Sequence, residues 1–170
     1  MLRFARWILG GTLAAGVAAP TRPNAATVAT HEFIVVYVGV DGVDGAMAGL
    51  ADSVRLAFAR RAAGVGQQLS LRGVSRDPEI TTGIRDLALV GPFNEISVGG
   101  NWANSAVVHY LGADMGAAYP KARVPQVIVL ERDIDNQLTA LHVGPERELA
   151  RYVGAGDIWN WARRGAPLSK

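Results

Sequence analysis

Val124-Pro125-Gln126-Val127-Ile128-Val129-Leu130 places a proline directly before an unbroken run of β-branched and aliphatic residues. Proline has no N–H to give to a ladder, so it belongs at the first position of a strand or on an edge. The run that follows reads as a buried strand with a fixed start. Upstream, His31-Glu32-Phe33-Ile34-Val35-Val36-Tyr37-Val38-Gly39-Val40 is almost continuously apolar, as expected of a central strand covered on both faces. It ends in a doubled turn, Val40-Asp41-Gly42 and Val43-Asp44-Gly45.

Between these two strands, helical and strand patterns alternate. Met47, Leu50, Val54 and Phe58 recur at three- and four-residue spacing, with Asp52, Arg55, Arg60 and Arg61 elsewhere on the wheel, which predicts an amphipathic helix. From Gln68 to Val74, Leu69 and Leu71 alternate with Ser70 and Arg72, a strand pattern. Asp77-Pro78-Glu79 then supplies an N-cap, a proline at the first helical position and an early acid. Ile80, Ile84 and Leu87 supply the expected buried stripe, and Gly91-Pro92 stops that helix. Phe93 to Val98 fits either a short strand or an extended loop. Asn101 to Leu111, carrying Trp102, Ala106, Val107 and Tyr110, suits a short helix with Gly112 as its cap. Ala113 to Arg123 reads as a loop.

Past Leu130, Arg132 to Asn136 reads as a polar turn and Leu138 to Val143 as an antiparallel partner of the proline-led strand. Pro145-Glu146-Arg147-Glu148 reads as the start of the last helix, with Leu149, Tyr152 and Val153 inward. Gly154-Ala155-Gly156 interrupts it, and Asp157 caps a final turn or two bearing Ile158, Trp159 and Trp161.

The chain has 170 residues, of which 49% are hydrophobic, enough for one domain with a core and too few for two. Met1 to Arg6 is a short positive start and Trp7 to Ala19 is apolar and rich in small residues. Ala18-Ala19-Pro20 and Asn24-Ala25-Ala26 offer processing sites, the layout of a secretory signal over 1–26. An uncleaved signal anchor is the rival, although an apolar stretch of about 13 residues falls short of the roughly 20 that span a bilayer. The expectation is an exported, periplasmic protein, membrane-tethered if the leader stays uncleaved, with a linker at 27–30, a domain over 31–164 and a tail over 165–170. The formal charge of +2 comes from the leader. Without Arg3, Arg6 and Arg22 the 17 basic residues fall to 14 against 15 acidic, a net of −1. No basic run is interleaved with aromatics, so the charge does not point to nucleic acid.

The order strand, helix, strand, helix, proline-led strand, antiparallel partner and closing helix resembles the thioredoxin fold over about residues 31 to 164. Val124-Pro125 looks like the cis-proline that starts the third strand of that family. The resemblance implies an α/β three-layer sandwich, a central mixed sheet of four to five strands flanked by helices, with Pro125 structural. Redox members carry Cys-x-x-Cys after the first strand, where this chain has Asp41-Gly42-Val43-Asp44. The chain has no cysteine, which removes disulfide exchange, because only a thiolate can form the mixed disulfide. Relative to a minimal member it is longer between Gly91 and Arg123.

Other chemistry finds little support in the spacing. Asp41 and Asp44 suit a turn and a helix start better than a cation site, lacking the alternating oxygen ligands and distant glutamate of a calcium loop. Ser105 and His109 share a helical face with Asp114 near in sequence, but no Gly-x-Ser-x-Gly elbow presents the serine. His31, His109 and His142 lack metal-ligand spacing, and no cofactor motif is present. Trp159 and Trp161 stand about 200° apart on a helix, so one of them needs a partner. Asn101, Trp102, Asn104, Trp159, Trp161, Arg163 and Arg164 are therefore the candidate protein interface. The expectation is a non-catalytic, protein-binding accessory subunit of a periplasmic or membrane-associated complex. A small-molecule or anion binder using the helix start after Gly45 is the alternative, and an enzyme built on perturbed acids is a third reading.

Overall fold

β1 (Ala29–Gly39) runs through the middle of a six-stranded mixed sheet. The computed structural model describes residues 29–39, 44–61, 67–100, 103–115, 124–137 and 140–168. β1 pairs in parallel with β2 (Gln67–Ser75), which pairs in parallel with the three-residue β3 (Glu95–Ser97) at one edge. On its other side β1 runs antiparallel to β4 (Gln126–Gln137), with Val35 opposite Val129 and Tyr37 opposite Val127. β5 (Ala140–Val143) and β6 (Arg147–Val153) both pair antiparallel with β4, over successive parts of its length.

Alternation along β1 and β4 divides the core between the two faces. Val35, Tyr37, Leu71, Val127 and Val129 point to one face and meet α1 (Leu50–Arg61), α2 (Ile80–Val90) and α4 (Ala155–Arg163). Ile34, Val36, Val38, Val74, Ile128 and Leu130 point to the other and meet Val107 and Leu111 of α3 (Ser105–Met115). The continuous apolar runs of the sequence are thus explained by cover on both sides. A 3-10 turn at Asp44–Met47 leads into α1 and buries Met47 completely.

The proline-led strand is where the sequence places it, and the Val124–Pro125 peptide is cis, as expected. Several expectations are corrected. Ala29 and Thr30, assigned to a linker, already pair in β1 with Asp135 and Ile134. Arg132 to Asn136 is not a turn but the second half of β4. Its polar residues stay in register because Glu32 faces Arg132, with Arg132 Nε 2.5 Å from Glu32 Oε2, and His31 faces Asp133 at 3.0 Å. Gly112 does not cap α3, which runs through it to Met115.

The segment after Pro145 is a strand, not the start of the last helix. Pro145 interrupts the ladder, and Arg147 to Val153 then resumes along β4, with a bulge at Val129/Leu130. Ala150 and Tyr152 turn to the α4 face opposite Val129 and Val127, while Arg151, opposite Ile128, turns to the α3 face. The unpaired side of β4 overrides the local helix-start signal.

Candidate protein-binding surface

α2 meets the sheet through Gly83, Leu87 and Val90, so of the expected stripe only Leu87 is buried. Gly83 allows close approach, since a Cβ there would lie 2.9 Å from Ser75 Oγ. Ile80 and Ile84 are 56% and 45% exposed. Ile84 lies about 60° around the helix from Leu87, on the side where the sheet ends at β3. Ile96, at the centre of β3, is 52% exposed.

Ile84, Leu87, Ala88, Gly91, Pro92, Phe93 and Ile96 line a groove of about 420 Å³ between α2 and the sheet edge. Two glycines shape its floor. A Cβ on Gly73 would sit 2.7 Å from Phe93 Cδ2, so the bare backbone lets the Phe93 ring lie flat on β2, stacked at 6.3 Å on Tyr37. Gly91 takes φ 137° and meets Ala51, whose Cβ would be 2.7 Å from an added one. Arg55 fixes the rim by donating to the Pro92 carbonyl at 2.7 Å.

On the opposite face of the same edge lies a polar cluster that the sequence does not announce. Arg72, in the middle of β2, donates to Tyr110 Oη at 2.7 Å and to Glu146 Oε1 at 2.6 Å. Its Nε lies 2.9 Å from Glu95 Oε2, out of hydrogen-bond alignment. Glu146 also lies 3.5 Å from Arg132 and from His109. Burial opposes the charge on Arg72, but Glu146 and Tyr110 hold its pKa above the ordinary value. Burial pushes Glu146 up, and the hydrogen bond and charge of Arg72, with His109 and Arg132, outweigh it and leave the carboxyl below its usual value. Burial raises Tyr110 despite Arg72. Beside the cluster, His109, Tyr110, Ile128, Leu130, Glu146, Glu148 and Arg151 line a cleft of about 390 Å³.

The residues expected at an interface are dispersed. Asn101 and Trp102 lie outside the described residues. Asn104 is buried at the start of α3, where its Oδ1 accepts the N–H groups of Ala106 and Val107 and the hydroxyl of Ser97. Trp161 is a core residue with no exposure, stacked on Tyr152 and donating its indole N–H to the Pro167 carbonyl, so it presents nothing to a partner. Trp159 is half-buried, and its indole N–H bonds Ala46 O at 2.9 Å. Contrary to the expectation from their separation of about 200°, both tryptophans pack on the same core, Trp161 fully and Trp159 partly buried, so Trp159 finds cover within the chain. Arg163 and Arg164 are exposed, and with Tyr152, Asp157 and Asn160 they line an open cleft of about 470 Å³.

Asp41 and the side chains of Asp44 and Asp114 lie outside the described residues. Ser105 is exposed, while His109 turns to Glu146 and packs edge-on against Tyr110 at 4.7 Å. Among the described residues no cluster of His, Asp and Glu is placed to hold a metal, and no helix is long and apolar enough to cross a membrane. Arg72 and Glu32, charges inside apolar strands, were the available signal for the polar cluster. For the groove the sequence offers only the added length that includes Phe93 to Val98, because the periodicity of α2 places Ile84 in the core. Comparison with known protein families, curated proteins and solved structures finds no match to this chain.

Proposed function

We propose that the chain is an exported, non-catalytic domain of thioredoxin-like architecture that binds another protein, as an accessory subunit of a periplasmic or membrane-associated complex. The thioredoxin-like reading is supported by the parallel β1–α1–β2 unit, by the antiparallel β4 begun by Pro125, and by α4 packing on the same face as α1. With no cysteine the scaffold has no thiol chemistry to offer.

The observation that carries the binding reading is the groove at the α2–β3 edge, where Ile84 and Ile96 are each about half exposed beside Pro92 and Phe93. Contiguous apolar surface of this kind marks interaction sites more often than scattered apolar residues do. Photo-crosslinking from position 84 in the native cell tests it. The expected result is one discrete adduct, lost in an Ile96→Asp background that keeps the melting temperature. An equally strong adduct from position 164 and none from 84 would move the interface to the α4 surface.

The cleft beside Tyr110 supports a second reading, a small-molecule binder, because the polar groups of His109, Glu146, Glu148 and Arg151 line it together with the apolar Ile128 and Leu130. A ligand-dependent rise in melting temperature abolished by Tyr110→Phe, with no adduct at position 84, favours that reading.

A further inference from the structure

The α2–β3 edge has the parts needed to take an additional strand. Leu71 directs its N–H at Asn94 Oδ1 at 2.8 Å and its carbonyl at the Asn94 N–H at 2.7 Å, so Leu71 and, by alternation, Gly73 face β3. In a parallel ladder a residue bonds the two residues flanking its register partner. Gly73, opposite Ile96, therefore serves Glu95 and Ser97. The N–H and C=O of Ile96 are left facing the open edge, where among the described residues no strand pairs with β3.

Side chains on the two faces of that edge differ in chemistry. Toward α2, Ile96 borders the apolar groove with Ile84 and Phe93. Toward α3, Glu95 and Ser97 border a small hollow of about 90 Å³ with Arg72 and Tyr110, and the Glu95 side chain is 63% exposed. Apart from His109, the charged side chains lining that hollow and its neighbouring cleft are Arg72 and Arg151 against Glu95, Glu146 and Glu148, an excess of one acid. Arg72 is shared with Glu146, so Glu95 retains charge for a partner.

Resting on the protein-binding reading, we infer that the partner contributes an extended segment that adds to β3, placing an apolar residue opposite Ile96 in the α2 groove and basic residues on either side of it toward Glu95. Main-chain bonds to Ile96 supply affinity and the alternating pockets supply selectivity. A second copy of the chain fits less well. Pairing Ile96 with its own copy sets Glu95 opposite Ser97 and leaves the two Glu95 carboxylates diagonal to one another without an added base.

The probe is a fluorescent heptapeptide of alternating lysine and valine, Lys-Val-Lys-Val-Lys-Val-Lys, measured by anisotropy on the full chain. Controls are a same-composition peptide with its valines consecutive and a glutamate–valine counterpart. Saturable binding of the alternating basic peptide, at least tenfold tighter than both controls and weakened severalfold by Glu95→Gln, is expected. Two further peptides carry N-methyl groups on all valine amides or on all lysine amides. Strand addition requires one of them to lose binding at least tenfold while the other keeps it, because only one set of amides faces Ile96. Equal binding of both methylated peptides overturns the proposal, as does binding indifferent to lysine or glutamate. Concentration-dependent dimerisation in sedimentation, abolished by Ile96→Asp, overturns it in favour of a second copy. Failure of every peptide alongside a retained adduct from position 84 rejects the strand-adding partner and leaves the binding reading standing. Loss of that adduct as well rejects both.

Discussion

Glu146 shows how a single residue ties three elements together. It stands before β6, accepts from Arg72 of β2 and approaches Arg132 of β4 and His109 of α3. Its folded pKa lies below its ordinary value, so it binds its proton more weakly in the folded chain than in the unfolded one. The stability this contributes is present above the unfolded carboxyl pKa and is lost as pH falls through the lower, folded value. Urea midpoints taken from pH 7 down to pH 3 should therefore fall on acidification. In Glu146→Gln that fall should be shallower and the neutral-pH midpoint lower, because Arg72 keeps its burial without its anion. Gly73 makes the complementary point, since its missing side chain is what admits the Phe93 ring to the sheet.

At the scale of elements, α3 begins where a side chain stops its first N–H groups from going unpaired. Asn104 Oδ1 accepts from Ala106 at 2.9 Å and Val107 at 3.3 Å, and Ser97 Oγ donates to the same oxygen at 2.8 Å. That bond also ties the end of β3 to the start of the helix. Asn104→Ala should lower unfolding free energy by about 0.5–2 kcal/mol, read from denaturant midpoints, and Asn104→Asp should retain more of the cap. The sequence places Asn104 beside Trp102 in the candidate interface, whereas in the fold its side chain caps α3. β6 teaches the same lesson in reverse, because Pro-Glu-Arg-Glu has the chemistry of a helix start and β4 recruits it as a strand.

At the scale of the fold as a whole, and among the described residues, the sheet is covered on both faces in the middle and open at its β3 edge. Ile34 is fully buried between β1 neighbours and α3, while Ile84 is 45% exposed beside the groove. Ile34→Ala should cost about 2–5 kcal/mol and Ile84→Ala less than about 1 kcal/mol. Matched thermal and urea melts measure the difference. An isoleucine that stability does not need, at an edge that could pair further, is the reason the proposed interface sits there and not at the carboxyl-terminal aromatics.

Local chemistry determined the strands that are buried on both faces. The apolar runs Ile34 to Val38 and Val127 to Leu130 have no other stable disposition, and Pro125 fixes where the second begins. The absence of cysteine excludes thiol chemistry whatever the fold. Tertiary structure alone decided what local signals left balanced. Pairing with β4 turned Arg147 to Val153 into a strand, and cross-strand charges carried β4 through Arg132 and Asp133. Where the sheet stops decided that Leu87 and Val90 of α2 are core while Ile80 and Ile84 are surface. Periodicity reports that a helix has an apolar face, but the neighbour covering that face is set by residues far away in the chain.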